Sequence, residues 1–247
     1  MSNINDNFFD GHYKDIWRSL IPEDLTIKEV DFMLAYFNLQ PGNKVLDLMC
    51  GYGRHAIALA RKGMEVTAVD NLAAYTSEIQ ETAEKEQLPL QVAKANITGY
   101  NYDGAADLVI CMGNSLNFFD AAETGKLLSN ISSWLKPGGH LLINSWSVAE
   151  IALKNFREKS WSSIGETKFL TDAQFLFHPT RIETESIMIT ADGRSESKKG
   201  IDYIFTINEL ETMLKGAGLE LKELYSIPGR KKFTLGEPRL YLVARKP

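Results

Sequence analysis

The sequence predicts an α/β fold whose core is a doubly wound, mostly parallel sheet of seven strands. One observation is the strict alternation of apolar strand patterns with helical patterns over residues 45–146, which requires parallel strands joined by right-handed crossovers. A second is the change of period at residues 50–53, where a buried strand passes into a helix across two glycines. A third is the size of the chain, because 247 residues that are 44% hydrophobic can bury one full core.

The first forty residues are predicted to form two helices that precede the sheet. The first helix carries an aromatic face, and the second is expected to begin at a capping box made by Thr26 and Glu29. The aromatic face has two interpretations: it packs on the core, or it is a lid that closes over a ligand. Tyr13 is the best candidate for a ligand contact from such a lid.

The sheet is predicted from apolar runs separated by glycine and proline turns. The five strands of the alternating region are predicted at residues 45–48, 65–70, 90–97, 107–112 and 140–146. The helices between them are predicted at residues 56–62, 73–87 and 120–136. A helix from Thr206 to Gly216 and strands at 219–227 and 239–245 complete the core.

Residues 147–206 interrupt this pattern. A capping box of Ser147 and Glu150 predicts a helix, and strands at 167–178, 180–190 and 197–206 follow, the last two joined by a tight turn at residues 192–193. Ligands of open α/β sheets bind beyond the carboxyl ends of the strands, so an insertion that leaves from Trp146 is expected to overhang the site. One domain, residues 1–247, is therefore expected, divided into a helical lid (1–40), a core (41–146 and 207–247) and a substrate cap (147–206).

The glycine turn is the predicted ligand-binding element. Of Gly51 and Gly53, one allows the backbone to turn sharply and the other allows a ligand to approach where a Cβ atom would collide. The free N–H groups of the next helix face a negative or polar ligand group. Asp70 ends the second strand about twenty residues later, where doubly wound folds place the carboxylate that accepts hydrogen bonds from a ribose diol. Helix capping is the alternative role of Asp70.

Three stretches resemble class I S-adenosylmethionine-dependent methyltransferases of the small-molecule type. Residues 45–55 resemble the glycine-rich first motif, Val69 and Asp70 resemble the acidic end of the second strand, and residues 135–143 resemble the turn and strand after the fourth helix. The resemblance implies S-adenosylmethionine as cofactor and a sheet of order 3-2-1-4-5-7-6 with its last strand antiparallel. It also implies methyl transfer by in-line displacement to an N, O or C atom of a small molecule.

The resemblance further implies which residues bind the cofactor. The first strand and glycine loop would hold the methionine part, the end of the second strand the ribose, and the loop after the fourth strand the methyl region. Asn96 stands where the family often has Asp, and its carbonyl can still accept from the adenine amino group, without charge. The full set is Asp47, Cys50, Gly51, Gly53, Asp70, Asn71, Asn96, Ile97, Met112, Gly113, Asn114 and, from the lid, Tyr13.

Two alternatives stay open. Residues 50–56 also fit the glycine pattern of NAD(P)-dependent oxidoreductases, although Asp47 would repel a pyrophosphate and the chain has no Tyr-x-x-x-Lys pair. A non-catalytic S-adenosylmethionine-binding protein on the same fold is the other.

No catalytic residue is identified, because an amine acceptor needs no base once it arrives neutral. His178 and His12 are weak candidates for a general base, and a surface imidazole is the alternative interpretation of each. The residues expected to shape the acceptor pocket are Trp17, Asn117, Asn144, Trp146 and His178.

Composition argues against several partners. A net charge of −5 and a pI near 5.5 disfavour a nucleic-acid footprint, and no stretch approaches the ~20 apolar residues of a membrane span. Cys50 and Cys111 have no metal-ligand spacing, so no metal is expected. The chain is expected to be cytoplasmic, and its sequence does not specify an oligomeric state.

Overall fold

The structure, a computed structural model, describes residues 3–247, apart from the side chain of His12. Within that range the chain forms a large mixed sheet, a smaller antiparallel sheet and seven α-helices. The helices are α1 (His12–Leu20), α2 (Glu23–Tyr36), α3 (Arg54–Arg61), α4 (Ala73–Glu86), α5 (Ala121–Trp134), α6 (Ala149–Asn155) and α7 (Ile207–Gly216).

The strands comprise those of the predicted core and those of the insertion. They are β1 (Lys44–Leu48), β2 (Glu65–Asp70), β3 (Leu90–Lys94), β4 (Ala106–Cys111), β5 (Leu135–Ser145), β6 (Lys159–Ile164), β7 (Thr167–Phe177), β8 (Thr180–Ile189), β9 (Ser195–Tyr203), β10 (Glu220–Ile227), β11 (Lys231–Lys232) and β12 (Leu240–Arg245). Two 3-10 turns cover Ile4–Asn7 and Ser115–Phe118.

The large sheet has the order β3-β2-β1-β4-β5-β12-β10-β11. Strands β1 to β5 are parallel, and β12 pairs antiparallel with both β5 and β10. With β10 and β12 as the sixth and seventh strands, the predicted fold class and order are confirmed. The one addition is β11, an exposed two-residue edge strand that is too short to show an apolar alternation.

The two faces of the large sheet are both covered by helices. Alternate residues of β1 point to opposite sides, so Leu46 packs in one apolar cluster with Leu128 of α5, while Val45 packs in another with Leu59 of α3. Burying each such side chain contributes about 1.5–3 kcal/mol. This two-sided burial fixes the register of the parallel strands, and it brings their carboxyl ends to one edge of the sheet.

Strand β5 begins at Leu135 rather than at His140. The predicted glycine turn at residues 137–139 is a bulge inside the strand, because Ala106 pairs with Leu135 while Leu108 pairs with His140. A Cβ atom at Gly139 would lie 2.9 Å from the Lys136 carbonyl, which explains why a glycine is needed there.

Helix α2 does not start at the predicted capping box. It begins at Glu23 after Pro22, and no side chain caps it. Thr26 and Glu29 lie one turn further on, where both accept hydrogen bonds from Arg54. A tertiary contact therefore uses the side chains that the sequence pattern assigned to a local cap.

The predicted capping box at the start of α6 is also absent. Val148 occupies the N-cap position, and no side chain caps the helix. The Glu150 carboxylate accepts instead from the backbone N–H of Ile207, at 3.0 Å, and Ser147 is bonded to Asn114. By contrast, reciprocal capping boxes do open α5 and α7.

The insertion forms a separate antiparallel sheet of order β6-β7-β8-β9, which we call the cap sheet. Strand β6 was not predicted, because its side chains are nearly all exposed and show no apolar alternation. The turn at Asp192 and Gly193 lies between β8 and β9 as expected.

Residues 3–20 lie between the cap sheet and the core, and we call them the lid segment. The Asn5 side chain pairs with the backbone N–H and C=O of Ile201 on the edge of β9, at 2.9 Å each. On the other side, the Tyr75 hydroxyl of α4 donates to the carbonyl of Phe9. The lid segment therefore connects the cap sheet to the core.

Candidate cofactor and acceptor site

A cavity opens at the carboxyl ends of β1, β2 and β4, beneath the lid segment. The predicted site residues that line it are Trp17, Asp47, Cys50, Gly51, Asp70, Asn71, Asn96, Ile97, Met112 and Gly113. The lid segment adds Asn3, Asn5, Asp6 and Phe9.

The turn after β1 combines three left-handed residues. Met49, Gly51 and Gly53 have φ values of 52°, 55° and 75°, and α3 starts at the next residue. A Cβ atom at Gly51 would meet nothing within 4 Å, whereas one at Gly53 would lie 2.6 Å from Cγ1 of Ile79. Gly51 therefore leaves space on the cavity wall, and Gly53 allows α3 to pack against α4.

Gly53 is not among the described residues that line the cavity, and its assignment to the cofactor site stays a prediction. Its role in the described structure is to let two helices approach each other.

Asp70 joins the glycine turn to the end of β2. Its two carboxylate oxygens accept from the backbone N–H groups of Gly51, at 2.8 Å, and Leu72, at 2.9 Å. Burial raises the pKa of Asp70 to about 6, although those hydrogen bonds oppose the shift. Each oxygen keeps a lone pair that can accept a further hydrogen bond from a ligand.

Of the two carboxylates, Asp47 has fewer hydrogen-bond partners. It is 1% exposed, and its Oδ2 has no hydrogen-bond partner. Burial raises its pKa to about 7, with Asp70 adding to the shift and Arg54 opposing it. A buried acceptor without a donor costs about 1–3 kcal/mol, so this atom suits a cationic ligand group that enters the cavity.

Asn96 is already engaged on both ends of its side-chain amide. Its Oδ1 accepts from the backbone N–H of Thr98 at 3.0 Å and from the Thr98 hydroxyl at 2.8 Å, and its Nδ2 faces the Asp6 carboxylate at 3.4 Å. Asn71 also donates to Asp6, at 3.2 Å. The expected free carbonyl of Asn96 is therefore occupied, and a carboxylate from the lid segment lies beside it.

Tyr13 is not among the described residues that line the cavity, so its contact with the cofactor stays a prediction. Its ring packs against Phe8 and against Phe169 of the cap sheet, with centroids 4.7 Å and 6.0 Å away. Helix α1 turns Trp17, one helical turn later, toward the cavity instead. Phe9 supplies the other aromatic wall from the lid segment.

Asn114 connects several segments and is not among the described wall residues, so its assignment to the cofactor site stays a prediction. It is 2% exposed, and its Oδ1 accepts from the backbone N–H groups of Trp146 and Ser147, at 3.0 Å each. Its Nδ2 donates to the Ser147 hydroxyl and to the Asp202 carboxylate. Asn114 therefore ties the loop after β4 to the end of β5 and to the cap sheet.

Asn117 and Asn144 are likewise buried and do not line this cavity, and their role in an acceptor pocket stays a prediction. Asn117 donates to the carbonyl groups of Ser147 and Tyr203, and Asn144 donates to the carbonyl of Leu240 on β12. Their amides satisfy buried backbone groups at strand ends.

The remaining acceptor-site candidates separate into two groups. Trp146 does not line the cavity, but its ring lies against Trp17 with centroids 5.9 Å apart. His178 is exposed at the turn between β7 and β8, away from the cavity wall, so the structure gives it no position for proton transfer there. The side chain of His12 falls outside the described part of the chain.

A buried ionic network, missed in the sequence, lies behind the glycine turn. Glu29 of α2 accepts from Arg54 at 2.6 Å, from His55 Nε2 at 2.9 Å and from the Tyr241 hydroxyl at 2.6 Å. Burial raises the pKa of Glu29, but His55 and Arg54 outweigh this and hold it at about 2. Burial together with Arg54 lowers the pKa of His55, while the hydrogen bond and charge of Glu29 oppose that shift. Arg54 and His55 also line the cavity.

The part of the chain that the structure describes has neither a metal-binding cluster nor a membrane-spanning helix. Residues 3–247 contain no group of His, Cys, Asp and Glu side chains that could hold a metal ion. None of the described helices has the length and apolarity needed to cross a membrane.

The comparisons with known proteins agree with this architecture. A family model described as "Methyltransferase domain" matches residues 45–139. The chain is 37% identical over 229 residues to the Bacillus subtilis protein named "Putative methyltransferase YqeM", and the match covers 85% of this chain and 86% of that protein. The chain spans about half the length of a glycine/sarcosine N-methyltransferase from Halorhodospira halochloris that it also matches.

Solved structures show the same fold. An S-adenosylmethionine-dependent methyltransferase from Clostridium acetobutylicum aligns with a TM-score of 0.81 at 20% identity, over 95% of this chain and 96% of that one. CalS10 from Micromonospora echinaspora, an amino pentose methyltransferase with bound S-adenosylmethionine, aligns with a TM-score of 0.71 at 20% identity, over 98% and 99% of the two chains.

The sheet order, the glycine turn with its two carboxylates and the near full-length relative together establish the family. The chain belongs to the class I S-adenosylmethionine-dependent methyltransferases, and S-adenosylmethionine is its cofactor.

Proposed function

We propose that the chain transfers the methyl group of S-adenosylmethionine to a small molecule held between the cofactor cavity and the cap sheet. The observation that carries the proposal is the unpartnered Oδ2 of Asp47 in a cavity closed by the lid segment. The cofactor supplies a methyl group on a sulfonium, which an acceptor atom takes by in-line displacement. Alignment of the two reactants can supply up to about 7–11 kcal/mol of the barrier.

Three carboxylates are proposed to bind the cofactor. Asp47 pairs with the α-ammonium group, which satisfies its free oxygen. Asp70 accepts from the ribose hydroxyls with its remaining lone pairs. Asp6, which lies beside Asn71 and Asn96, accepts from the adenine amino group and so takes the part that the sequence assigned to Asn96.

Enclosure supports a small acceptor. Trp17 and Phe9 cover the cavity from the lid segment, and Trp146 extends the aromatic wall toward the cap sheet. Such walls exclude water from the reacting atoms. CalS10, of similar fold and length, acts on an amino pentose, which is a small molecule.

The cellular setting is part of the same proposal. A net charge of −5 supports an acceptor other than nucleic acid. Both cysteines are unpaired, which supports a reducing compartment such as the cytoplasm.

Calorimetry with S-adenosylmethionine, S-adenosylhomocysteine and NAD tests the cofactor part. We expect the first two to bind and NAD not to bind, since Asp47 repels a pyrophosphate. Incubation with methyl-labelled cofactor and a metabolite library then tests transfer. Tight NAD binding without a response to S-adenosylmethionine would contradict the proposal, and cofactor binding without any labelled product would favour a non-catalytic binding protein.

A further inference from the structure

We propose that the acceptor is a small amine, and that Asp202 binds its nitrogen and receives its proton during transfer. This inference rests on the proposed function, since it names the acceptor class and one residue of the same site. Asp202 belongs to β9, on the face that also carries Glu196, Lys198 and Gly200. A Cβ atom at Gly200 would lie 3.0 Å from the Phe8 ring, so this face points toward the lid segment.

Asp202 is not a wall residue of the cavity, but it is bonded to the loop that follows β4 beside that wall. Its Oδ1 accepts from Nδ2 of Asn114 at 2.8 Å, and Asn114 directly follows Gly113, a residue of the cavity wall. The Trp17 ring is 3.7 Å from a Cβ position at Gly113, so that ring and Asp202 flank the same loop. The carboxylate is therefore one residue beyond the methyl region, and Asn114 fixes its orientation.

No cation neutralises Asp202 among the side chains that the structure describes. Lys198, on the same face of β9, is already paired with Asp10 and with Glu196. Burial raises the pKa of Asp202 to about 7, although Asn114 and Ser147 oppose the shift by hydrogen bonding. An uncompensated charge in such a place costs stability, and that cost is typical of functional sites.

Aromatic side chains lie near the loop to which the Asp202 carboxylate is bonded. Tyr13 of α1 faces Asp202 closely enough that burial and this charge together raise the pKa of its phenol. Trp17 and Trp146 stand next to the same loop. Aromatic faces and a carboxylate together favour a cationic ligand, and an ammonium group on an apolar body meets both requirements.

The chemistry is balanced by the groups present. The ammonium form of the acceptor binds to the carboxylate and passes one proton to it, which leaves a neutral nitrogen with a lone pair. That lone pair forms the new N–C bond while the C–S bond breaks, and its electron pair stays on sulfur as the thioether. The proton remains on Asp202 until the product leaves.

An amine suits this carboxylate better than a hydroxyl does. An alkyl ammonium has a pKa of about 10, as in lysine, so a carboxylate that titrates near neutrality can share its proton. The pKa of a hydroxyl lies far above that of an ammonium, so a hydroxyl holds its proton too strongly for the same group. The inference therefore separates N-methylation from O-methylation.

The test compares four amines (benzylamine, tyramine, piperidine and glycine) with benzyl alcohol, using methyl-labelled S-adenosylmethionine and the full chain. We expect label on at least one amine and none on the alcohol. Asp202→Asn keeps the shape and an acceptor oxygen for Asn114, so it should fold, bind S-adenosylmethionine as before, and transfer at least a hundredfold more slowly to that amine. Asp172→Asn, an exposed carboxylate on the opposite face of the cap sheet, is the matched control and should transfer normally.

Different outcomes would contradict the role of Asp202 and the proposed function. Label on the alcohol in preference to the amines, no label on any of the four amines while the cofactor binds, or full activity of Asp202→Asn would each overturn this inference. Failure of the unaltered chain to bind S-adenosylmethionine would overturn the proposed function instead.

Discussion

The buried Asp47 carboxylate lowers the stability of the ligand-free protein, because one of its oxygens has no hydrogen-bond partner. Its folded pKa of about 7 is raised above the ordinary value, so its burial lowers stability as pH rises from about 4 to 7 and by a constant amount above that. Asp47→Asn cannot ionise, so its free energy of unfolding should gain on the unaltered chain by about 1.4 kcal/mol for each pH unit in that window. Denaturant titrations of both ligand-free proteins at pH 4, 6 and 8 measure this difference.

The same substitution should weaken cofactor binding. A hydrogen bond to a charged group contributes about 1.5–3 kcal/mol, so Asp47→Asn should raise the dissociation constant of S-adenosylmethionine by about tenfold to a hundredfold. A variant that is both more stable and equally tight would remove Asp47 from the site.

Asp70, by contrast, stabilises the glycine turn even without a ligand, because it accepts hydrogen bonds from two backbone N–H groups. Asp70→Ala leaves the backbone N–H groups of Gly51 and Leu72 without their acceptor, at about 1–3 kcal/mol each where they stay buried. We expect a lower melting temperature as well as a cofactor dissociation constant raised at least tenfold. Differential scanning calorimetry beside binding calorimetry measures both, and an unchanged melting temperature would show that water replaces the carboxylate.

The predictions made from the sequence differ most from the structure at single residues. Asp47 and Asp70 could be predicted from the sequence, because the strand pattern, the glycine turn and the spacing between them are local signals. The polar residues Asn114 and Asn117 were assigned to the pocket, yet each is bonded to a group on a segment far along the chain. Asp6 and Asp202 carry no local pattern at all, because only the tertiary fold brings them to the cavity and its rim.

Strands and helices are predicted correctly wherever burial imposes a regular spacing of apolar residues. All seven predicted core strands are found, since each has an apolar pattern matched to its neighbours. The differences fall on the exposed strands β6 and β11, on the start of β5 at a glycine bulge, and on two helix starts, at Glu23 and Ala149. In the two helix starts, the expected capping side chains bond to distant partners instead.

The two glycines of the turn after β1 give a matched test at the scale of elements. Gly53→Ala adds a methyl group 2.6 Å from Ile79 in a left-handed residue, so α3 and α4 must separate. We expect a loss of about 2–4 kcal/mol of stability, from backbone strain plus overpacking. Gly51→Ala meets no atom within 4 Å and should lose only about 1–2 kcal/mol, while its methyl group on the cavity wall weakens S-adenosylmethionine binding. Equal stability losses in the two variants would refute this division of roles.

The Glu29 network links α2 to α3 and to β12. Its folded pKa of about 2 lies below the ordinary value, so its stabilising effect is complete above about pH 4.5 and is lost as pH falls toward 2. Glu29→Gln should lower the free energy of unfolding by about 1–3 kcal/mol at pH 7, with the difference shrinking at pH 3. Chemical denaturation at both pH values measures this, and a difference that does not depend on pH would mean that shape, and not charge, holds the network.

At the scale of the whole molecule, the lid segment is fastened on both sides. Toward the core, Asn3 donates to the Phe118 carbonyl, and Arg18 forms an ion pair with Glu78. Toward the cap sheet, Asn5 pairs with Ile201 and Asp10 pairs with Lys198. Among the described residues, none from the cap sheet lines the cavity, although Asp202 lies next to the loop at its wall. The cap sheet nevertheless supports the lid segment, which does line the cavity.

Replacing residues 159–203 with a short Gly/Ser linker should therefore weaken cofactor binding as well as abolish transfer. The lid segment loses the two hydrogen bonds of Asn5 to Ile201, worth about 0.5–1.5 kcal/mol each, so the dissociation constant of S-adenosylmethionine should rise about tenfold. Asn5→Ala in the intact chain should reproduce part of that rise, whereas Lys159→Ala, on the far edge strand, should leave binding unchanged. If the linker variant unfolds cooperatively and binds the cofactor as tightly as the intact chain, the contacts to the core alone hold the lid segment, and the cap sheet serves the acceptor only.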